Sequence, residues 1–523
     1  MRTFLLLFLL VSAAFAETPN IVVLLADDLG YGDLHAYNAA SKIETPNLDR
    51  LAGEGTRFTN AHTPASVCTP TRYGLLTGRY PWRSRLKSGV LSDSDAPLIE
   101  AGRLTLPEML KRKGYETAAI GKWHLGKTFV LLDESKPVSA ENIDWSKPEV
   151  DGPLDHGFTY YFGLAKPGWA FLEGRRPLAR PSLPFDVTNL PAFLMGPNNQ
   201  KGWKSPGFEF DRMLPRFTEE AVGFIDRSAA AGKPFFLYWT PITPHRPVTP
   251  SEDFIGKSAA GVYGDFVMQL DWAVGEILAA IERNGATKDT LVILSSDNGP
   301  EIDAYRRVLE YEHYSMGDLR GVKRDTWEGG HRVAFLARWP GRVPADRTND
   351  ETVCLTDLFA TTASIVGYDL PNEAAEDSYD ILPALEGKTL AKPIREATVH
   401  QAMDGHLAIR QGDWVLIDWK TGDSNRGGNG EPEWFKRERG VVATPSDVVL
   451  YNLRDDPQET RNRASEEPQT VGRLKALLDR YRSEGRSVAR RRLIRAESFP
   501  KSARAGRALA RPARHRGLRG RRE

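Results

Sequence analysis

Hydrophobic residues follow two alternating patterns through the first three hundred positions of the chain. Short continuous apolar runs, such as Ile21–Ala26 and Leu291–Ser295, are typical of strands that are buried on both faces of a sheet. Over Tyr263–Arg283 the apolar residues instead recur at a spacing of about 3.6, which predicts an amphipathic helix. Because strands and helices alternate, the sequence predicts an α/β fold with a large mixed, mostly parallel sheet flanked by helices.

The same two patterns locate further elements. Helices are expected over Leu106–Lys113 and over a segment that begins at Thr218, whose hydroxyl would cap the first turn, and ends at Gly232. Strands are expected over Glu116–Ile120 and Phe235–Trp239. Strand, helix and strand at these spacings again indicate parallel strands joined by helical crossovers.

The segment Asp133–Arg216 has a different character, because it holds eleven prolines and shows little periodicity. We expect long surface loops over one edge of the sheet. Two interpretations stay open: the loops form walls of a substrate-binding site, or they are an insertion with no part in binding.

A second structural unit is predicted after about residue 392. Short strands joined by tight turns and a final helix indicate a small α+β subdomain. The strands are Thr398–Gln401, His406–Arg410, Trp414–Asp418 and Val448–Leu453, and the helix is Glu466–Tyr481. The predicted organisation is a signal peptide (1–16), a main α/β domain (17–395), the C-terminal α+β subdomain (396–484) and an Arg-rich tail (485–523).

Composition and charge narrow the class of protein. Of the 523 residues, 41% are hydrophobic and 10% aromatic, which excludes disorder of the whole chain. The formal net charge of +1 hides an asymmetry, because residues 482–523 hold 15 Lys and Arg against three Glu, a local charge of +12. We expect this tail to be disordered and solvated, with no nucleic-acid partner; a tail that binds nucleic acid or another anionic polymer is the alternative.

The N-terminus has the features of a secretory signal peptide. Arg2 supplies a positive start, Phe4–Val11 an apolar run, and Ala14–Ala16 a small-residue cleavage site. The run is shorter than the ~20 residues that span a bilayer, and no membrane span is predicted elsewhere. Two cysteines exclude a disulfide framework. We expect a secreted or periplasmic protein, with a buried N-terminal helix as the alternative.

Polar side chains stand directly after four of the predicted strands. In open α/β sheets, sites form beyond the carboxyl ends of the strands, where such residues meet. Each residue alone is ordinary turn or cap chemistry, but four such strand ends together indicate a functional site. The residues are Asp27 and Asp28, Lys122 and His124, His245, and Asp297 and Asn298.

The residue types at these strand ends indicate a hard cation. Three carboxylates and an amide oxygen suit Ca²⁺ or Mg²⁺ better than Zn²⁺, which prefers His and Cys. Cys68 would lie at the start of a helix, because Pro70 fits a first helical turn. An inert buried thiol and a thiolate nucleophile are both open for Cys68, although a soft sulfur matches a calcium site poorly.

Taken together, the motifs resemble the type I, formylglycine-dependent sulfatases of the alkaline-phosphatase superfamily. The resemblance extends from about Asn20 to Ala464. One departure is Thr71, where the family usually has Ser; because Thr keeps the hydroxyl, the maturation signal is expected to survive. The motifs are Asp27-Asp28, Cys68-Thr69-Pro70-Thr71-Arg72 with Leu76-Thr77-Gly78-Arg79, Gly121-Lys122-Trp123-His124-Leu125-Gly126, Asp297-Asn298-Gly299, Arg320-Gly321-Val322-Lys323, Trp327-Glu328-Gly329-Gly330, and Leu450-Tyr451-Asn452-Leu453 with Asp455-Asp456-Pro457 and Glu459.

The resemblance implies an alkaline-phosphatase-like fold, one bound Ca²⁺ and a modified nucleophile. A separate formylglycine-generating enzyme would oxidise Cys68 to formylglycine. The hydrated aldehyde attacks the sulfur of a sulfate ester and releases the alcohol, and sulfate is then eliminated. The implied metal ligands are Asp27, Asp28, Cys68, Asp297 and Asn298.

The resemblance also assigns roles to five further side chains. Arg72 would hold the nucleophile and offset its charge. Lys122 and Lys323 would bind sulfate oxygens, where cations stabilise the transition state. His124 would take the proton during elimination of sulfate, and His245, with Lys323, would protonate the leaving alcohol.

The sequence therefore predicts a sulfuric ester hydrolase whose expected substrate is a sulfated carbohydrate. The first rival is a phosphatase or phosphonate hydrolase of the same superfamily, whose two zinc ions would require more His ligands. The second is a non-catalytic carbohydrate-binding protein, which would have lost the Cys, a Lys or a His. Loop residues that could form sugar subsites are Trp169, Arg175, Trp203 and His313.

Overall fold

The structure is a computed structural model, and it describes residues 18–92, 95–190, 192–196, 201–425 and 430–489. Strands and helices alternate through most of this part of the chain. The strands are β1 (Asn20–Ala26), β2 (Thr56–Phe58), β3 (Ala61–His62), β4 (Glu116–Gly121), β5 (Tyr160–Ala165), β6 (Ala170–Glu173), β7 (Arg176–Pro177), β8 (Leu183–Asp186), β9 (Lys201–Lys204), β10 (Phe235–Thr240), β11 (Thr290–Ser296), β12 (Phe335–Arg338), β13 (Arg347–Asn349), β14 (Val353–Cys354), β15 (Thr398–Gln401), β16 (Leu407–Gln411), β17 (Trp414–Ile417) and β18 (Val449–Asn452). The helices are α1 (Pro46–Gly53), α2 (Cys68–Thr77), α3 (Leu106–Arg112), α4 (Ala192–Met195), α5 (Met213–Ala230), α6 (Gly261–Arg283), α7 (Ala304–Tyr311), α8 (Glu328–His331), α9 (Asp357–Ile365), α10 (Leu382–Leu385), α11 (Glu433–Glu438) and α12 (Pro468–Glu484).

The largest sheet has ten strands within the described residues, in the order β13-β2-β12-β11-β1-β10-β4-β5-β6-β7. Its centre, from β11 to β5, is parallel throughout, and antiparallel pairs stand on either side of it. The register aligns Leu24 of β1 with Leu294 and Trp239 on its two neighbours. The predicted mixed, mostly parallel sheet is confirmed.

The side chains of β1 alternate between two hydrophobic cores, one on each face of the sheet. Ile21 and Val23 belong to a core that includes residues of α2, α3 and α9. Val22 and Leu24 belong to the other, which includes residues of α1, α5 and α6. Burial on both faces explains why β1 is a continuous apolar run instead of an alternating one.

Helix α5 begins before the predicted cap. Thr218 lies inside the helix, where its hydroxyl donates a hydrogen bond to the carbonyl of Leu214 at 2.8 Å. The predicted N-cap at Thr218 is therefore wrong. Packing gives the physical reason, because Leu214 and Phe217 are buried in the core and extend the helix toward its N-terminus. Pro215 does not prevent this, since it lies in the first turn, where N–H groups have no intrahelical partner.

The proline-rich segment contributes more regular structure than the sequence predicts. Tyr160–Ala165 forms β5, which pairs in parallel with β4, and β6 and β7 extend the sheet at that edge. β8 and β9 form a separate two-stranded sheet. The apolar side chains of β5 are buried on the sheet, and this burial outweighs the surrounding prolines. The loop prediction is thus wrong for these strands.

The C-terminal part forms a four-stranded antiparallel sheet, in the order β15-β16-β17-β18, as predicted. Helix α12 packs on it through Leu474 and Leu478. Residues 485–489, assigned to the tail from the sequence, make contacts of their own, since the N–H of Ser487 donates to Asp377 at 2.9 Å. The predicted signal peptide and residues 490–523 lie outside the described residues. Within the described chain, no helix has the length and apolar character needed to cross a membrane.

Candidate active site

The loops after β1, β10 and β11 meet at one edge of the large sheet. Hydrogen bonds join them beyond the strand ends: the N–H of Asp297 donates to the carbonyl of Ala26, and that of Asp27 to the carbonyl of Thr243, both at 3.1 Å. Asp27, Asp28, Asp297 and Asn298 are fully or almost fully buried in this cluster. The structure thus brings together the four residues that the sequence predicts to share a metal ion.

The turn at Asp28 places its side chain in the cluster. The backbone of Asp28 has a φ of 69°, in the left-handed region that most residues avoid. The N–H of Leu29 donates to the hydroxyl of Ser296 at 3.0 Å, which ties the turn to the end of β11. Asn298 donates its side-chain amide to Oδ1 of Asp28 at 2.7 Å.

A buried network centred on Asp33 supports the same turn. The Asp33 carboxylate accepts hydrogen bonds from the Tyr263 hydroxyl at 2.6 Å, from Nε2 of His313 at 2.8 Å and from the N–H of Gly30 at 2.7 Å. Burial would raise the pKa of Asp33, but these bonds, with His313 first, lower it below the usual value. His313 is fully buried, so its predicted part in a sugar subsite is wrong.

Arg72 joins three parts of the cluster. Its Nε and Nη2 donate to Oδ2 of Asp297 at 3.0 and 2.7 Å, and Nη2 lies 3.4 Å from Oδ2 of Asp27. Its Nη1 donates to the backbone carbonyl of Lys122 at 2.8 Å. The side chain is fully buried, so only these acidic partners make the charge tolerable.

Two lysines bind the other carboxylates. Nζ of Lys122 lies 2.5 Å from Oδ2 of Asp27, and Nζ of Lys323 lies 2.8 Å from Oδ1 of Asp28. Burial alone would lower the pKa of each lysine, but Asp27 and Asp28 raise both pKa values above the usual range. Both ammonium groups therefore stay charged at any physiological pH.

The two carboxylates nearest Arg72 have opposite pKa shifts. Burial would raise the pKa of Asp27, but Lys122 and the neighbouring cations lower it far below its usual value. Burial, together with the charge of Asp27, raises the pKa of Asp297 well above its usual value. Two acids at one buried site resist simultaneous ionisation unless more positive charge is present.

The donor set of the cluster fits a hard divalent cation. Oδ1 of Asp27 and Oδ1 of Asn298 are buried and accept no hydrogen bond from any described residue. A buried acceptor without a donor costs about 1–3 kcal/mol, and a cation would satisfy both oxygens. With Asp28 and Asp297 the donors are all oxygen, as Ca²⁺ and Mg²⁺ prefer.

Cys68 begins helix α2 beside this cluster, as predicted. It is 3% exposed. Its thiol interacts electrostatically with Arg72, Lys122, Asp297 and Lys323, which places the sulfur among the charged groups of the site. Arg72 follows one helical turn later, so α2 presents both side chains to the cluster.

His124 keeps one ring nitrogen available. Its Nε2 lies 3.0 Å from the carbonyl of Leu91. Because a carbonyl only accepts, Nε2 carries the proton of the neutral ring and Nδ1 carries the lone pair. Nδ1 is buried and makes no hydrogen bond to any described residue. Burial, followed by the charges of Lys122 and Arg72, lowers the pKa of His124 to about 3.

His245 is oriented in the complementary way. Its Nδ1 lies 2.6 Å from the carbonyl of Arg246, to which it donates, so Nε2 faces the site at 3.9 Å from Oδ2 of Asp28. Burial and the charge of Lys122 lower the pKa of His245 to about 4. About a quarter of the side chain is exposed to the cavity described below.

Comparison with known proteins decides the family. The model of the sulfatase family matches residues 19–368. The chain belongs to the sulfatase family. It is 33% identical to an N-acetylgalactosamine-6-O-sulfatase of Bacteroides thetaiotaomicron, over 89% of this chain and 93% of the relative. It is also 33% identical to human steryl-sulfatase, over 74% of this chain and 73% of the relative.

Solved structures agree with the family assignment. A structure from work on the metabolism of multiple glycosaminoglycans by Bacteroides thetaiotaomicron superposes with a TM-score of 0.76 and 30% identity, covering 90% of this sulfatase and 100% of that chain. The protein is therefore a sulfuric ester hydrolase with the alkaline-phosphatase-like fold, as the sequence predicts.

Two charged residues next to the sulfatase site were missed in the sequence. Glu301 lies 3.7 Å from Nζ of Lys323 and accepts a hydrogen bond from Nη2 of Arg324 at 2.9 Å. Burial would raise the pKa of Glu301, but Lys323 and Arg324 hold it well below the usual range. The only feature of the sequence that could have identified Glu301 and Arg324 is their position, because each stands within two residues of a recognised motif.

A second cluster, of three histidines, lies outside this site. The ring nitrogens of His62, His331 and His400 come within 4.8 Å of one another, which is the spacing of metal ligands. However, the rings of His331 and His400 are stacked, with centroids 3.8 Å apart and planes 5° apart. Because an imidazole binds a metal in its own ring plane, two stacked parallel rings cannot share one ion.

A cavity of about 410 Å³ opens onto the sulfatase site. Lys122, His124 and His245 line it, and so does Trp169, one of the predicted subsite residues. The other two predicted subsite residues are engaged elsewhere: Arg175 pairs with Asp155, and the Trp203 indole donates to Glu141.

Proposed function

We propose that this sulfatase hydrolyses a sulfate ester on a sulfated carbohydrate, with Ca²⁺ as cofactor and with Cys68 converted to formylglycine by a separate maturing enzyme. The observation that carries the proposal is the convergence of Cys68, at the start of α2, with three carboxylate–cation pairs and with two oxygens that have no donor among the described residues. The N-terminal features support a secreted or periplasmic location.

The metal would be held by Asp27, Asp28, Asp297, Asn298 and the modified residue 68. A bound Ca²⁺ would supply positive charge that offsets the negative charge developing in the reaction. Formylglycine supplies a hydroxyl nucleophile in place of the thiol. All other steps of the reaction fall to side chains that the chain itself provides.

The cations of the site bind and orient the sulfate group. Lys122 pairs with Asp27 and Lys323 with the neighbouring Asp28, so both ammonium groups can stabilise charge on sulfate oxygens. Arg72 is locked by its bonds to Asp297 and supports the nucleophile at position 68, one turn away on α2.

The two histidines move protons. His124 has a lone pair on buried Nδ1 and is suited to take a proton from residue 68 when sulfate leaves. His245 is held through Nδ1, so its Nε2, when protonated, can donate to the leaving alcohol oxygen. The same cavity exposes His245 to the alcohol part of the substrate.

The substrate class follows from relatives and from the cavity. The bacterial relative is named N-acetylgalactosamine-6-O-sulfatase, and the 30% identical structure comes from glycosaminoglycan metabolism. A cavity of about 410 Å³ with cationic walls offers room for at least one sugar ring beside the sulfate. We therefore propose a 6-sulfated N-acetylgalactosamine, within a glycan, as the first substrate to test.

The experiment combines a chemical and a functional measurement. The enzyme is produced with a formylglycine-generating enzyme, and the tryptic peptide 58–72 is weighed. The modified peptide is lighter, because the residue loses H₂S and gains O. Sulfate release is then measured on 6-sulfated N-acetylgalactosamine, beside the matching 6-phosphate and with metal analysis.

Three outcomes would contradict the proposal. Faster phosphate release with two zinc ions per chain would identify the phosphatase rival. Full sulfatase activity of an enzyme that carries only unmodified Cys68 would exclude the formylglycine nucleophile. Binding of the sugar without any turnover, in a fully modified and calcium-loaded enzyme, would favour the non-catalytic rival.

A further inference from the structure

The cavity extends along the carboxyl edge of the sheet, away from the catalytic residues. Lys122 follows β4, whose Gly121 pairs with Gly163 of the neighbouring β5. Lys166 directly follows β5, and Trp169 directly precedes β6, which turns back beside β5. Because neighbouring strands lie about 4.8 Å apart, this second group stands roughly 5–10 Å along the sheet from Lys122.

The charged lining of the cavity has a single sign. Besides the two histidines, its ionisable residues are Lys122, Lys127, Lys166 and Arg246, and among the described residues no carboxylate lines it. Lys127 is bound from behind by Glu149, at 2.7 Å, and donates to the carbonyl of Leu164. Lys122 pairs with Asp27 and Arg246 with Asp303, and among the described residues neither acid lines the cavity. Positive side chains on a cavity wall favour an anionic ligand.

Lys166 is held in place by an aromatic ring. Its Nζ lies 3.6 Å from the ring centroid of Trp169, within the range of a strong cation–π contact. Trp169 is only 4% exposed and packs against Phe208 and Phe210, so the ring is a rigid support. The ammonium covers the ring face, which makes charge, rather than aromatic stacking, the feature presented to a ligand.

We propose that Lys166, supported by Trp169, binds a second anionic group of the substrate, on the sugar next to the one that loses its sulfate. This inference rests on the proposed function. In the proposed function the reacting sulfate is bound by Lys122 and Lys323 at the catalytic cluster, and Lys166 lines the same cavity one or two strands away from Lys122. A carboxylate and a second sulfate are the two anions that neighbouring sugars carry in acidic glycans.

The test compares two variants on matched substrates. Lys166→Met removes the charge and keeps a long apolar chain on the ring, and Lys166→Arg keeps the charge. The four substrates all carry 6-sulfated N-acetylgalactosamine: alone, next to a neutral hexose, next to a uronic acid, and next to a sulfated hexose. The matched control is Lys257→Met, since Lys257 also lies near an aromatic ring, Phe254 at 5.6 Å, but does not line the cavity.

The expected result is a selective change in KM. Lys166→Met should raise KM about tenfold or more on the acidic substrates, with kcat unchanged, because a charge-assisted contact is lost only there. KM should stay the same on the two neutral substrates, meaning those without a second anion. Lys166→Arg should retain most of the preference for the acidic substrates. Whichever acidic substrate responds, uronate or sulfated hexose, identifies the anion.

Two results would overturn the inference: an equal loss on neutral and acidic substrates, or no change on either acidic substrate. Failure of the proposed function is separate, because it appears as absence of turnover by the wild type on all four substrates. In that case calorimetric binding of the uronic acid disaccharide decides. Weaker binding by Lys166→Met than by wild type and by Lys257→Met supports the subsite, and equal binding refutes it.

Discussion

Acidification should destabilise this sulfatase through the three-histidine cluster. His62, His331 and His400 are completely buried, and burial lowers the pKa of all three below the usual 6.5, that of His331 to about 3. The cluster joins two parts of the fold, because His400 lies on β15 of the C-terminal sheet and His62 on β3. Protonation of one ring would therefore weaken the contact between the two parts.

The hydrogen bonds of the cluster favour neutral rings. His331 donates through Nε2 to the carbonyl of Thr326 at 3.2 Å, and His400 through Nδ1 to that of Thr63 at 3.0 Å. Nδ1 of His331 lies 3.1 Å from Nδ1 of His62, so one of the two must be an acceptor. Because Nε2 of His331 carries the proton of that ring, its Nδ1 is the acceptor, and a proton added there would break this bond and place two donors face to face.

The charges around the cluster act mostly in the same direction. Arg410 approaches Nε2 of His62 at 3.1 Å, and the charges of Arg410 and Arg332 oppose protonation of both His62 and His331. Glu328 lies on the same side and favours protonation of His400, but its carboxylate is already bound by Arg410 at 3.0 Å. The net effect leaves all three pKa values lowered.

The sign and size of the effect follow from linkage. A histidine whose pKa is lowered by folding stabilises the protein fully above the unfolded pKa of 6.5, and this stability is lost as pH falls from there toward the folded pKa. One pKa unit corresponds to about 1.4 kcal/mol. Between pH about 6.5 and about 5, His331 alone should therefore cost about 2 kcal/mol of folding free energy.

The assay is a series of melting curves from about pH 7.5 to about pH 5. His331→Gln keeps a donor for the Thr326 carbonyl and cannot titrate, so it should lose about 2 kcal/mol less stability than wild type over this range. His35→Gln is the control, because His35 is a partly exposed histidine beside Asp49, outside the cluster. If wild type and His331→Gln show the same pH dependence, the cluster does not act as described.

Four further predictions concern the site and the tail. Cys68→Ala should keep its melting temperature and lose turnover; a tenth of wild-type activity would contradict the nucleophile. Asp297→Ala should abolish activity. A chelator should lower the melting temperature of wild type but not of this variant, because an ion bound only to the folded state stabilises it by mass action. Full activity of wild type after exhaustive chelation would contradict the metal site. Asp33→Asn removes the charged partner of His313 and should raise the Ca²⁺ concentration needed for half-maximal activity, and an unchanged calcium titration would show that the network does not position Asp28. Deletion of residues 490–523 should leave kcat and melting temperature unchanged because the segment has few large apolar residues, and a drop of several degrees would show that it packs on the folded chain.

The elements of the fold were predictable where one pattern dominated. β1 and β11 are continuous apolar runs because both faces of the sheet are covered, and the amphipathic pattern of α6 reflects packing on one side only. The pattern failed at α5 and β5, where prolines and a potential cap residue suggested a different boundary. In both places tertiary burial decided, through Phe217 on the sheet and Tyr161 in the opposite core.

The site was predictable in its residue types and not in its bonds. Their positions directly after two predicted parallel strands suggested that Asp27 and Asp297 would meet, since parallel strands end at one edge. That Arg72 binds Asp297, rather than pointing to solvent, depends on the position of α2 over the sheet, and the two residues are 225 positions apart. His313 shows the opposite case, because its loop position suggested exposure while its partner Asp33 holds it in the interior.

The backbone at the site carries a feature that no local pattern predicts. Asp28, His124 and Arg324 each have a positive φ, of 69°, 56° and 85°, although none is glycine. Such conformations cost on the order of 1–3 kcal/mol each, and they persist only where surrounding contacts impose them. Each of the three residues has such a contact. The Ser296 hydroxyl, at the end of β11, holds the turn at Asp28, the Leu91 carbonyl binds His124, and Glu301 binds Arg324.

These three strained residues adjoin or belong to the catalytic cluster. Replacement by glycine would relieve the backbone but remove the side chain that the turn aims, and replacement by alanine would keep the strain and lose the contact that sustains it. Both kinds of change should therefore damage the site by different routes. The fold thus stores strain at the positions of a carboxylate, an imidazole and a guanidinium of the site, and the hydrogen bonds around them hold it there.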